Sequence, residues 1–520
     1  MVDETAATAA PYPLAMKKAL WLVPLLGFVG CAPKPAKIDP PMTVRELRKE
    51  VDPAVRWVPE DVPANQNGWD LAKKAAQLCP KDPQPAFHTP VNPGDFDSAK
   101  EPPKQGESVN DILTAMDKPG EKNLRARAEK VLKPYGPALE MLAAALAKPR
   151  WVAPEPRDDV VPNVNKVFAL DTFSYAGAKE LAKALILRAR LDLMQSRPTQ
   201  AASDFALAEA VARHLIACHA DMMSWLTGIS TQRTVDRAVQ LTVRDPVWTV
   251  ASLRRLLNKM PDTRTGVDYV LSMRHEFDST FLGIVAGLGS GPEDLAVALD
   301  VSGPGVAQAV LAGHPDAFDR RDTVRRASAR LALLAECASK PWDGRWEAES
   351  ILPIEIVPEL PESLLSRILA AREDASDSSG RPQGPSAKDI ADARAALRKL
   401  SNPVGKMLIA DLSPVRDEEL LTDRQTLATV EATRITLALA VYRRTHGSEA
   451  RALQDLMDAG LLAAVPMDPF GRGPFHYDSK RRVFWSVGPN GIDDGGYDAP
   501  TGVSRRARDY VWPSEGSLSH

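Results

Sequence analysis

LAKALILRARLDLMQSRPTQAASDFALA, residues 181 to 208, decides the class of fold. Leu181, Leu185, Ala189 and then Asp192 or Leu193 fall on related turns, so the stretch predicts a helix with one apolar face. Gln195-Ser196-Arg197-Pro198 makes a tight break, and Thr199 opens the next helix. Ala201, Phe205 and Ala208 carry that second helix. A helix–turn–helix pair follows.

The spacing of Ala201, Phe205 and Ala208 resembles the second helix of a tetratricopeptide repeat, where Ala and Phe let two helices approach closely. The first helix departs from that pattern, with Leu185 in place of Trp, Ala189 in place of Gly and Asp192 in place of Tyr. Outward from the pair the same periodicity recurs. Trp69, Leu71, Ala72, Ala75, Ala76 and Leu78 form one stripe, and Leu124 to Leu146 form another, broken at Pro134 and Pro137. Residues 67–421 are therefore expected to be a mainly α body. Its architecture would be an irregular helical array or an α-solenoid of tetratricopeptide-like helix pairs. Within it, REDASDSSGRPQGPS, residues 372–386, has the low hydrophobicity and the Ser, Gly and Pro of a flexible segment.

Bulk composition excludes some functions. The net charge is −3 with a pI near 6.3, so no basic excess points to nucleic acid. Cys31, Cys79, Cys218 and Cys337 form no CxxC pair, which argues against a zinc site of the usual spacing. His214, Cys218 and His219 share a short stretch, but a half-buried thiol beside surface histidines fits it better than a metal site. Arg274-His275-Glu276 lacks the second His of a zinc-protease helix. GxSxG is absent, and LGSGPED near residue 290 lacks the Lys and the spacing of a phosphate loop. No catalytic residue is assigned, and whether the chain is an enzyme stays open.

The front end reads as an address. From Met16, expected to be the true start, the chain runs MKKALWLVPLLGFVGC. Two lysines precede an apolar run, Ala19 to Cys31, that is shorter than the ~20 residues needed to span a bilayer. Residues 1–30 thus predict a leader with an export signal. Phe28-Val29-Gly30-Cys31 resembles the lipobox of bacterial lipoproteins, with Phe where Leu is usual. That resemblance implies cleavage before Cys31, lipid attachment to it, and a membrane anchor facing the periplasm or exterior. Ala32 does not supply the aspartate that retains many such proteins at the inner membrane, which favours the outer one. The chain holds 44 prolines, dense between residues 33 and 103. Residues 31–66 accordingly predict a tether, reaching on the order of 100 Å if fully extended.

A different pattern starts at Thr422. Thr422-x-x-Gln425 has capping-box form. Ala428, Ala432, Ile435, Leu439 and Tyr442 line one helical face, and Gly447 stops the helix. Asp468-Pro469-Phe470-Gly471 makes a turn; Phe475 to Tyr477 and Val483 to Val487 read as a short hairpin. A loop of Gly, Asn and Asp follows. Asn490, Asp493, Asp494 and Asp498 offer oxygens of the kind calcium prefers, and the alternative is an Asp-Gly turn whose carboxylates cap backbone amides.

TLATVEATRITLALAVYRRTHG, VPMDPFGRGPFHY and FWSVGPNGIDDGG together resemble the globular part of the major pseudopilin of type II secretion systems. The resemblance implies that residues 422–512 form a small α+β module with a calcium loop, closed by Asp509. It leaves 513–520 as a tail. The pseudopilin's long N-terminal apolar helix is absent, so polymerisation is not implied. These features point to a lipid-anchored protein-binding or scaffold module that meets another protein of the cell envelope. The alternatives are an accessory part of a secretion or pilus-like machine, and an envelope enzyme.

Overall fold

The computed structural model describes residues 36–58, 60–80, 107–118, 120–153, 173–260, 267–289, 309, 311–342, 387–412, 417–497 and 509–513. The leader, Cys31, the 372–386 segment and Asp498 lie outside the described residues.

The protein is mainly helical with a small antiparallel sheet. Helices α1 (Val44–Leu47), α2 (Trp69–Leu78), α3 (Val109–Met116), α4 (Leu124–Leu132) and α5 (Gly136–Leu146) precede a long trio. The trio is α6 (Tyr175–Met194), α7 (Pro198–Ala217) and α8 (Met222–Thr242). Next come α9 (Val250–Leu257) and α10 (Val267–Glu276), and a π turn over Phe277–Phe281 joins α10 to α11 (Leu282–Gly287). Helices α12 (Arg320–Ser339), α13 (Ala387–Leu397), α14 (Pro403–Leu412), α15 (Asp417–His446) and α16 (Gln454–Asp458) follow. The chain closes with β1 (His476–Asp478), β2 (Val483–Ser486) and β3 (Tyr510–Pro513) in the order β1-β2-β3.

The α6–α7 helix pair forms as its periodicity predicts. Pro198 begins α7, a position where its missing N–H costs nothing. Ser196 takes the left-handed conformation at the break, and Ala201, Phe205 and Ala208 are fully buried. Arg188 of α6 holds Asp204 of α7 through two hydrogen bonds of 2.6 and 2.7 Å. Gly228 of α8 fits where a Cβ would fall 2.5 Å from Cγ1 of Ile216, so α7 and α8 cross at contact distance.

Two apolar cores share α8 as a wall. One joins α2 to α9, α15 and the sheet; Val235 and Val239 face it. The other gathers Trp225 and Ile229 of α8 with α10, the π turn, α11, α12, α13 and α14.

This packing corrects the expected tether. Val44, Leu47, Val51 and Val55 are buried in the second core. Each such burial contributes about 1.5–3 kcal/mol, enough to oppose the entropy that keeps a spacer loose. Thr43 and Glu46 form a capping box on α1, and Arg320 binds the carbonyls of Asp39 and Pro40 at 2.9 and 2.8 Å. Proline density masked a three-and-four spacing of apolar residues. From residue 36 onward this segment belongs to the body.

The boundary at residue 422 is also corrected. α15 runs straight through it, and Thr422 lies inside the helix rather than capping it. Leu437, Ala438 and Val441 are as buried as Ala432 and Ile435, so the helix is enclosed on more than one face. Arg233 and Gln240 of α8 donate to the Thr422 carbonyl (3.1 Å) and the Thr433 hydroxyl (2.7 Å). The strands form close to expectation and rest on this helix. A third, β3, which the sequence reading left as loop and tail, pairs Phe484 with Trp512, their rings stacked 5.8 Å apart.

Candidate functional site

The Asp/Gly loop hangs from β2, and glycines allow its turns: Gly488, Gly491, Gly495 and Gly496 all have positive φ. Asp493 Oδ1 accepts hydrogen bonds from Trp485 Nε1 and from the Gly495 amide, both at 2.9 Å. Burial would raise the Asp493 carboxyl, but these two donors and His476 outweigh it and hold it below the usual range. Asn490 Oδ1 accepts from the Ile492 amide at 3.2 Å.

Asp509 is buried, and its Oδ2 accepts from the Gly496 amide at 2.8 Å. Burial, with Asp494 and Asp493 nearby, pushes its carboxyl up. Asp494 is exposed. Asp493 and Asp509 thus cap neighbouring amides of one turn, while Asn490 is spent on its own loop.

A cation already sits on this loop. The Arg481 guanidinium donates to the carbonyl of Gly495 at 2.7 Å and to that of Gly496, and it lies over the rings of Tyr497 and Trp485 at 4.3 and 5.5 Å. Among the described residues, no group of three His, Cys, Asp or Glu converges as a metal site would need. The loop's geometry is chiefly that of carboxylates capping backbone amides.

A second site was not legible in the sequence. A cleft of about 260 Å³ opens where Trp57, Glu60 and Asp61 meet Val152, Ala153, the end of α7 and α10. Trp57 stands edge-to-face on His275, ring centres 4.9 Å apart, with His219 at 6.4 Å. His219 is left-handed at φ 48°, a conformation rare for a residue with a side chain, and it is tied to Asp268 at 3.0 Å. The π turn begins two residues after His275; such turns recur at functional sites.

The titratable groups behind the cleft are perturbed. Burial drops the His275 imidazole to about 4, so it is neutral at pH 7. Burial pushes the Cys218 thiol up to about 12, and its Sγ is spent on the Leu215 carbonyl at 3.1 Å. That thiol is inert. Asp221 caps α8 and accepts a 2.6 Å hydrogen bond from Tyr175 Oη. Glu276 accepts from the Met222 amide at 3.2 Å. Burial first, and then Asp221, raise Glu276 to about 7. Near neutral pH this carboxyl keeps a proton that an exposed one would lose.

Comparisons with protein-family models, with curated proteins and with solved structures find no match to this chain. Its function rests on its own residues.

His214, Cys218 and His219 do not converge. His214 stacks on Trp151 at 4.8 Å, while Cys218 and His219 turn to their separate partners. Of Arg274, His275 and Glu276, His275 does line the cleft, as one member of a set drawn from residues 57, 60, 61, 152, 153, 218 and 275. Only the fold brings these together.

Proposed function

We propose that this chain is an exported, lipid-anchored protein of the bacterial envelope whose helical array serves as a binding scaffold for another envelope protein. The observation that carries the reading is Lys17-Lys18, the short apolar run and Phe28-Val29-Gly30-Cys31. The buried α6–α7 pair, with Ala201, Phe205 and Ala208 at tetratricopeptide-like spacing, supports a helix-pair array as the binding frame. The anchor would hold the body close. Only residues 32–35 separate Cys31 from the first described residue, a reach of under about 20 Å even if extended. The test is Cys31→Ser in a bacterial host fed a labelled fatty acid. The parent should carry label and sediment with membranes, and the variant should do neither; equal partition of both would reject the anchor.

A second reading rests on the tail. Asp468-Pro469-Phe470-Gly471 and the Asp/Gly loop resemble the pseudopilin module, which supports an accessory role in a secretion or pilus-like machine with calcium at Asp493, Asp494, Asp498 and Asp509. Removing residues 422–520 cannot test it, because α15 belongs to the body's core. Paired substitution of Asp493 and Asp494 by Ala, with export measured in cells, can. Unchanged export would reject this role.

A further inference from the structure

The N-terminal segment joins the body at one place. The Lys37 amide donates to the His314 carbonyl at 3.0 Å, the Ala317 amide donates to the Lys37 carbonyl at 2.9 Å, and Ile38 bridges Phe318 in parallel. His314 reaches on to the end of α13, where its Nε2 donates to the Leu397 carbonyl at 2.9 Å. The Asn402 amide donates to the Asp316 carbonyl at 3.1 Å. Residues 37–40, 314–319 and 397–402 therefore form one continuous patch beside the second core.

That patch is basic on its outer side. Lys37, Arg398 and Lys399 are exposed. Its acids are turned to other tasks: Asp319 caps α12 by accepting from the Asp322 amide at 2.8 Å, and Asp39 accepts from the Arg320 amide at 3.3 Å. Asp316 is half-buried. Asp392 is exposed, but it lies six residues back along α13, about 9 Å by helix rise.

The partner for this patch follows from where the chain leads, and here the inference rests on the lipid anchor proposed at Cys31. From Cys31 to Ala36 the chain spans under about 20 Å even if extended. A compact chain of this length is on the order of 60 Å across. Acyl chains on residue 31 therefore bring this patch, and not the far side of the body, to the lipid. Each basic side chain at an anionic bilayer surface strengthens binding about fivefold. Anchor and basic patch then act as two signals on one membrane.

We propose that the patch carrying Lys37, Arg398 and Lys399 lies on anionic lipid headgroups and fixes how the anchored body sits on its membrane.

The test installs the anchor chemically, so it does not depend on processing in a cell, which the mass of the native N-terminal peptide reports separately. The chain from Cys31 to His520, made without acyl groups, is ligated through its N-terminal cysteine to a diacyl phospholipid thioester and placed on phosphatidylglycerol vesicles. Lysines are acetylated with a water-soluble N-hydroxysuccinimide ester and read by peptide mass spectrometry, beside the same chain free in buffer. Lys37 and Lys399 should react about fivefold or more slowly on the vesicles. Lys122 and Lys130, exposed at α4 in the other core, should keep their rates. Arg398→Glu should restore much of the Lys37 rate on vesicles and leave it unchanged in buffer, where the unchanged rate reports an intact fold. Vesicles of neutral phosphatidylcholine should restore it for the parent. The proposal is overturned if Lys37 and Lys399 react as fast on phosphatidylglycerol vesicles as in buffer, or if Lys122 and Lys130 are slowed in their place. Protection that neither Arg398→Glu nor neutral lipid reduces would overturn it equally.

Discussion

Arg48 grips Asp278 with two hydrogen bonds, 2.7 and 2.5 Å, across 230 residues of sequence. Asp278 lies in the π turn and Arg48 directly follows α1, so this pair ties the N-terminal segment to the second core. Asp278 is largely buried and Arg48 is partly exposed. Asp278→Ala should therefore cost about 1–3 kcal/mol, between the values for exposed and buried pairs. Urea denaturation measures this. Limited proteolysis should show new cleavage before residue 58 in the variant; an unchanged digest would mean that the segment is held without the pair.

Gly228 tests the α7–α8 crossing. A Cβ there would also come within 2.9 Å of the Ile216 amide and 3.0 Å of the Ala212 carbonyl, so backbone must move. Gly228→Ala should destabilise by about 1–3 kcal/mol despite alanine's better helix propensity. A gain in melting temperature would show that the helices cross less closely.

Glu276 gives a pH dependence of definite sign. Its carboxyl is raised from 4.5 to about 7 in the folded protein. Between those values the native state binds more protons than the unfolded one, so this group's contribution falls as pH rises from 4.5 through 7. Glu276→Gln keeps an oxygen for the Met222 amide and removes the charge. It should stabilise the protein by about 3 kcal/mol at pH 8 and by under about 1 kcal/mol at pH 5. Equal effects at both pH values would contradict this.

Much of the fold was legible because helical periodicity survives in a sequence. The α6–α7 pair, α2 and the β1–β2 hairpin needed only local pattern. Val44, Leu47, Val51 and Val55 carried the same signal, but prolines around them suggested a spacer. β3 was missed because Tyr510–Pro513 has no turn or partner nearby in sequence; its partner is Phe484 and its neighbours on β2. The Asp/Gly loop could be read from composition, whereas the role of Arg481 in it could not. Nothing in the sequence pairs Trp57 with His275, since that contact exists only once the N-terminal segment docks.

Calcium decides the tail. If the Asp493–Asp509 loop takes the ion, it should raise the melting temperature of the parent, and Asp493→Ala with Asp494→Ala should abolish the rise. Arg481→Ala, which frees the carbonyls of Gly495 and Gly496, should then strengthen calcium binding. A parent indifferent to calcium in a thermal scan would remove the metal from this protein.

Mass spectrometry of the N-terminal peptide, taken from protein extracted from bacterial membranes, tests the envelope assignment most directly. The peptide should begin at Cys31 and carry the added mass of a diacylglyceryl group on sulfur. A peptide that runs through Cys31 with a free thiol would contradict it.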